Sequence, residues 1–148
     1  MSARYNVWIV TGLLARLRLP VGPHRTAALA EWFQGLYPEG RAPVLVGGAA
    51  IELLAHTDRA VDDLDFVGEV LPSVAAKLRR VGFREIGRRW ILDSDGIILD
   101  IPAARLSPGT TCVPLGIGDV RVLVAVPAAS HPEERSDEGS RAFRVRDR

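Results

Sequence analysis

Apolar positions set the first rhythm of the chain. Val7, Ile9, Val10, Leu13, Leu14 and Leu17 recur at helical spacing, with Arg16 and Arg18 at the far end, and predict an amphipathic helix. Pro20, Gly22 and Pro23 interrupt that pattern. A second helix is predicted over 26–37, capped by Thr26 and burying Leu29, Trp32, Phe33 and Leu36. Pro38, Gly40 and Pro43 end it. The period then shortens. Pro43-Val44-Leu45-Val46 reads as a short buried strand stopping at Gly47-Gly48, and 49–56 as a helix leaving that pair. Residues 61–67 alternate, with Asp63 and Asp65 on one face and Leu64 and Phe66 on the other, as a strand does. An amphipathic helix over 70–81 precedes three strands at 83–86, 89–92 and 97–101. Asp93-Ser94-Asp95-Gly96 forms the hairpin turn between the last two. One or two further short strands are expected within 113–126, around Gly116 and Gly118.

This order of elements predicts an α/β domain over residues 1–127, a mixed β-sheet flanked by helices. It divides into N-terminal helices (1–40) and a core (43–102). From 128 to 148 the chain has no apolar periodicity, and a disordered tail is expected there. At 148 residues the chain has room for one well-cored domain. With 47% apolar and 25% charged residues, neither a fibre nor a wholly disordered chain is expected. No uncharged apolar run approaches the roughly 18 residues of a membrane span, so no membrane partner is expected. Arg16 and Arg18 argue against a signal-peptide core over 5–15. The single cysteine, Cys112, excludes an intramolecular disulfide and fits a cytoplasmic location; it is read as a buried small hydrophobe.

A net charge of +1 does not by itself announce a nucleic-acid binder. Lys77 is the only lysine, and no Gly-Lys-Ser or Gly-Lys-Thr occurs, which excludes a P-loop.

The chemistry concentrates in two segments, Leu45-Val46-Gly47-Gly48-Ala49-Ala50 and Arg59-Ala60-Val61-Asp62-Asp63-Leu64-Asp65-Phe66. Two glycines at a helix start let a phosphate approach the backbone, and the first turn offers unpaired N–H groups. Most Gly-Gly pairs are merely tight turns, so the second segment carries more weight. Asp63 and Asp65 point to one side of a strand, repel each other, and call for a compensating cation. Magnesium suits them, since it binds through one or two carboxylates plus substrate phosphates. A two-metal site, with cations about 4 Å apart, needs a third carboxylate. Asp100, a lone charge within Ile97-Ile98-Leu99-Asp100-Ile101-Pro102, is the candidate. Its plainer reading is an edge-strand residue facing water. Asp93 and Asp95 are what a hairpin turn uses anyway.

Val46-Gly47-Gly48 followed by Asp63-Leu64-Asp65 and a later strand Asp resembles the nucleotidyltransferases of the DNA polymerase beta superfamily. The pattern of Gly47-Gly48-Ala49-Ala50, Arg59 and Asp62-Asp63-Leu64-Asp65-Phe66 is most similar to the small bacterial branch. That branch holds AbiEii-like toxins of type IV toxin–antitoxin systems and antibiotic nucleotidyltransferases. The resemblance covers about residues 43–102. It implies transfer of a nucleoside monophosphate from an NTP to an acceptor hydroxyl on RNA, protein or a small molecule. It also implies that Gly47 and Gly48 hold the triphosphate, that Asp63, Asp65 and Asp100 bind Mg2+ or Mn2+, and that Asp100 helps deprotonate the acceptor. Arg59 is assigned to the nucleotide, with a structural salt bridge as its plainer role. A cognate toxin or antitoxin is the implied protein partner. The family continues into helices where this chain runs from Val120-Arg121-Val122-Leu123 into its tail, so the chain reads as C-terminally truncated relative to the family. The alternative function is a degenerate, non-catalytic member acting as a nucleotide-binding or partner module.

The remaining candidates have plain readings. Arg88 and Arg89 are read as a solvated charge pair that sits near the site. His24, His56 and His131 are too scattered for a metal cluster, and Trp32, Phe33 and Trp90 read as core.

Overall fold

A computed structural model describes residues 3–55 and 63–127. The expected tail at 128–148 and Arg59 lie outside the described residues. The chain forms a mixed α/β fold with helices flanking a seven-stranded sheet. In chain order the described elements are α1 (Ala3–Leu17), α2 (Pro23–Gln34), β1 (Val44–Val46), α3 (Gly47–Leu54), β2 (Asp63–Val67) and α4 (Pro72–Arg80). Then come β3 (Arg84–Ile86), β4 (Arg89–Leu92), β5 (Ile97–Ala103), β6 (Thr110–Ile117) and β7 (Val120–Pro127). The sheet runs β3-β4-β5-β2-β1-β7-β6. The β1–β7 and β2–β5 pairs are parallel, while β1–β2 and the outer pairs are antiparallel.

Alternation divides the sheet into two faces. Leu45, Leu64, Phe66, Leu99, Val122 and Val124 are buried with the helices. The rings of Phe33 and Phe66 lie 4.7 Å apart at their centroids, so α2 packs directly on β2. Full burial of such side chains stabilises by roughly 1.5–3 kcal/mol each. The other face carries the register partners Val46 and Asp65, Val44 and Val67, and Asp65 and Asp100. It is the face that keeps polar groups.

Several boundaries differ from expectation. Helix α2 starts at Pro23, not Thr26, because proline suits the first helical turn, where its missing N–H is not needed. Thr26 is therefore not the cap, and its hydroxyl donates instead to the Gly22 carbonyl at 3.1 Å. Helix α3 includes both glycines rather than beginning after them. The 113–126 segment is one long hairpin, with β6 paired to β7 from Thr110 against Pro127 through Ile117 against Val120. Cys112 is exposed on β6, not buried, since β6 is an edge strand.

Polar groups tie the helices down. Arg16 clamps α1 to α2: its Nε donates to the Ala28 carbonyl at 2.9 Å and Nη2 to Glu31 Oε1 at 3.1 Å. Trp32 Nε1 donates to the Ile9 carbonyl at 3.0 Å. Gln34, buried at the end of α2, donates to the carbonyls of Pro43 (3.0 Å) and Leu123 (2.9 Å) and accepts from the Leu123 N–H (3.1 Å). One amide thus staples the short β1 segment to β7, where Leu45 and Val124 form the register pair.

Candidate functional site

The site is assembled by the crossing of β1, β2 and β5. Strand β1 delivers the chain to Gly47, which opens α3 with φ of +69°. That left-handed backbone is open to glycine at little cost and strained for other residues. A Cβ on Gly47 would stand 2.7 Å from Asp65 Oδ2. Gly48 faces open space, with no atom of the described residues within 4 Å of where a Cβ would sit. No side chain among the described residues caps α3, so its first N–H groups are open to an anion at the positive end of the helix dipole.

Asp63 and Asp65 lie on one face of β2, Asp63 exposed and Asp65 half-buried. Asp100 is the register partner of Asp65 on β5, so two carboxylates stand side by side across a parallel pair. Like charges in that position repel. Burial pushes the Asp65 carboxyl above its usual range, and the neighbouring charges of Asp100 and Asp63 push the same way, opposed by Arg88 and Arg89.

Asp100 is not an edge residue facing water. Strand β5 lies inside the sheet between β4 and β2, and the Asp100 side chain is only 11% exposed. The two arginines are not merely a solvated pair either. Arg88 Nε lies 2.9 Å from Asp100 Oδ1, Arg88 Nη2 donates to Oδ2 at 3.3 Å, and Arg89 Nε is 3.8 Å from Oδ2. The Nε approach is outside hydrogen-bonding geometry. Oδ1 is therefore buried without a hydrogen-bond partner among the described residues. Its charge is met by the Arg88 guanidinium through the ion pair rather than through a hydrogen bond. The register of the β4–β5 hairpin, counted outward from the turn at 93–96, already places Arg89 opposite Asp100. That signal was present in the sequence.

The structure thus brings Gly47, Asp65 and Asp100 together, with Asp63 one step along the same strand face. Among the described residues, no group of three or more His, Cys, Asp or Glu side chains is drawn together to hold a metal ion. Asp65 and Asp100 fit the other magnesium pattern, in which one or two carboxylates share the ion with substrate phosphates. The uncapped helix start supports that fit. Asp93 is engaged elsewhere, paired with Arg84, and Asp95 accepts from Ser94 at 2.8 Å. His24 pairs with Asp119 at 3.3 Å, and His56 and His131 lie outside the described residues.

A cavity of about 310 Å³ opens next to Asp65, at Val46 and Gly47, and its lining includes Val67, Ala103 and Arg105. Its walls draw on Ala50, Ile51 and Leu54 of α3 and on Ala125 of β7. No helix in the described residues is long and apolar enough to cross a membrane. No family model, no curated protein and no solved structure matches the chain.

Proposed function

We infer that this chain transfers a nucleoside monophosphate from an NTP to an acceptor hydroxyl with the help of Mg2+ or Mn2+. The observation that carries the reading is the direct pairing of Asp65 with Asp100, with the α3 start packed against Asp65 through Gly47. Phosphoryl transfer asks little covalent chemistry of a protein. It asks for positioning and for opposite charge around the transferred phosphorus.

In this reading Asp65 and Asp100 hold the cation, with Asp63 completing the acidic face. The ion would neutralise negative charge on the phosphates. The N–H groups at Gly47 and Gly48 bind triphosphate oxygens, and the open space at Gly48 lets those oxygens approach the backbone. Arg88, 58% exposed along its side chain, neutralises Asp100 and would be free to turn toward phosphate once Asp100 held a cation. The acceptor hydroxyl oxygen bonds to the α-phosphorus. The bond to the β-phosphate oxygen breaks and pyrophosphate leaves. Asp100 takes the hydroxyl proton.

One observation favours the non-catalytic alternative. Arg88 and Arg89 already balance Asp100, so a nucleotide-binding module could keep this arrangement without turnover. Pyrophosphate release in the presence of Mg2+, NTP and varied hydroxyl acceptors separates the two. Release that is lost in Asp65→Ala supports transfer. Binding without release supports the module.

A further inference from the structure

The cavity that starts at Gly47, next to Asp65, is apolar along most of its walls and carries one cation, Arg105, and this combination points to its ligand. At one end Val46 and Gly47 adjoin Asp65, since Val46 is the register partner of Asp65 on β1. At the other end stands Arg105, which has no ion-pair partner among the described residues. Between them the walls are apolar, formed by Ile51, Leu54, Val67 and Ala103. The sheet itself supplies the scale. Asp65 to Val67 on β2 and Asp100 to Ala103 on β5 correspond to roughly 7–10 Å of strand. A cavity of about 310 Å³ is at the small end of ligand sites.

We propose that this cavity binds a small organic acid with an apolar body, its carboxylate on Arg105 and a hydroxyl at the Gly47 end, beside Asp65. It is the acceptor pocket of the transfer reaction, and in that role it rests on the function proposed above. Arg105 makes a charge-assisted contact with the carboxylate, for which a planar guanidinium is well suited. Ser107, beside Arg105, offers a hydroxyl to the same group. The apolar walls take the body of the ligand out of water. In the transfer step the ligand hydroxyl oxygen forms the new bond to the α-phosphorus, its proton passes to Asp100, and pyrophosphate carries away the electron pair of the broken bond.

Calorimetric titration of the full chain, without metal or nucleotide, tests the pocket by itself. The probes are 3-(4-hydroxyphenyl)propanoate, whose carboxylate and phenol lie at opposite ends of an aromatic body, and its neutral amide. The expected result is one saturable site that prefers the carboxylate over the amide by about tenfold. Arg105→Gln removes that preference and leaves amide binding unchanged. Ala103→Phe fills the trough and removes binding of both probes, and Thr110→Trp on another wall does the same if the first variant fails to fold. Absence of saturable binding, a preference that survives Arg105→Gln, or unaltered binding in a folded filled variant overturns the proposal. Titration with NTP and Mg2+ is run separately. A chain that binds the probe but no nucleotide overturns the acceptor role and the transferase reading while the site stands; one that binds nucleotide but not the probe overturns the pocket alone.

Discussion

Gly47 has no room for a side chain because of Asp65: a Cβ there would meet Asp65 Oδ2 at 2.7 Å, on a backbone already at φ +69°. The contact couples the helix start to the central carboxylate, so the two parts to which the proposed function assigns phosphate and cation are built as one unit. Gly48, one residue on, faces open space.

The two glycines therefore separate by mutation. Gly47→Ala is expected to destabilise the fold by about 2 kcal/mol or more, from left-handed strain together with the clash. Gly48→Leu is expected to leave stability within about 1 kcal/mol while obstructing phosphate approach. Urea denaturation of both variants, set beside nucleotide titration of the second, checks the pair.

Cation binding is expected to stabilise the folded chain by ordinary linkage, about 2.7 kcal/mol at a hundredfold excess over Kd. Asp63→Asn should remove most of the thermal shift produced by Mg2+ without unfolding the metal-free protein, because Asp63 is exposed. Equal shifts in wild type and variant would exclude Asp63 from the site.

Asp65 also leaves a signature in metal-free protein. Its folded-state pKa is raised by burial and by Asp100 and Asp63, so the folded chain holds this proton more tightly than the unfolded chain. The resulting stability is present below about pH 4, the ordinary carboxylate value, and is lost as pH rises through the raised value. Asp65→Asn cannot titrate. Its stability relative to wild type should therefore climb across that window and level off above it, as read from denaturation midpoints at a series of pH values.

Gln34 is predicted to matter more than its distance from the site suggests. Gln34→Leu leaves the Pro43 carbonyl and both backbone groups of Leu123 without their side-chain partner. A loss of about 2–4 kcal/mol is expected, measured by chemical denaturation. An unchanged midpoint would mean that β1 and β7 hold each other unaided.

Much of this architecture was legible from local pattern. The alternation of Asp63, Leu64, Asp65 and Phe66 gave β2 its two faces, and Gly47-Gly48 marked the start of α3. Turn residues at 93–96 gave the β4–β5 hairpin. What local pattern does not carry is partnership across the sheet. That Asp100 sits beside Asp65 follows from a parallel pairing between strands far apart in sequence. The Gln34 staple and the trough ending at Arg105 likewise depend on β7 returning to pair with β1. Arg88 lies between these cases. Its neighbour Arg89 could be placed opposite Asp100 by counting along the hairpin, but its ion pair depends on how the turn after β3 projects the side chain.

The central claim is that Asp65, Asp100 and the α3 start form a cation-dependent triphosphate site, and calorimetric titration of each NTP with and without Mg2+ tests it most directly. Saturable binding that requires Mg2+, is lost in Asp65→Ala and is weakened in Gly48→Leu is the predicted result. Failure of every NTP to bind in the presence of Mg2+, or binding unaltered in Asp65→Ala, would contradict it.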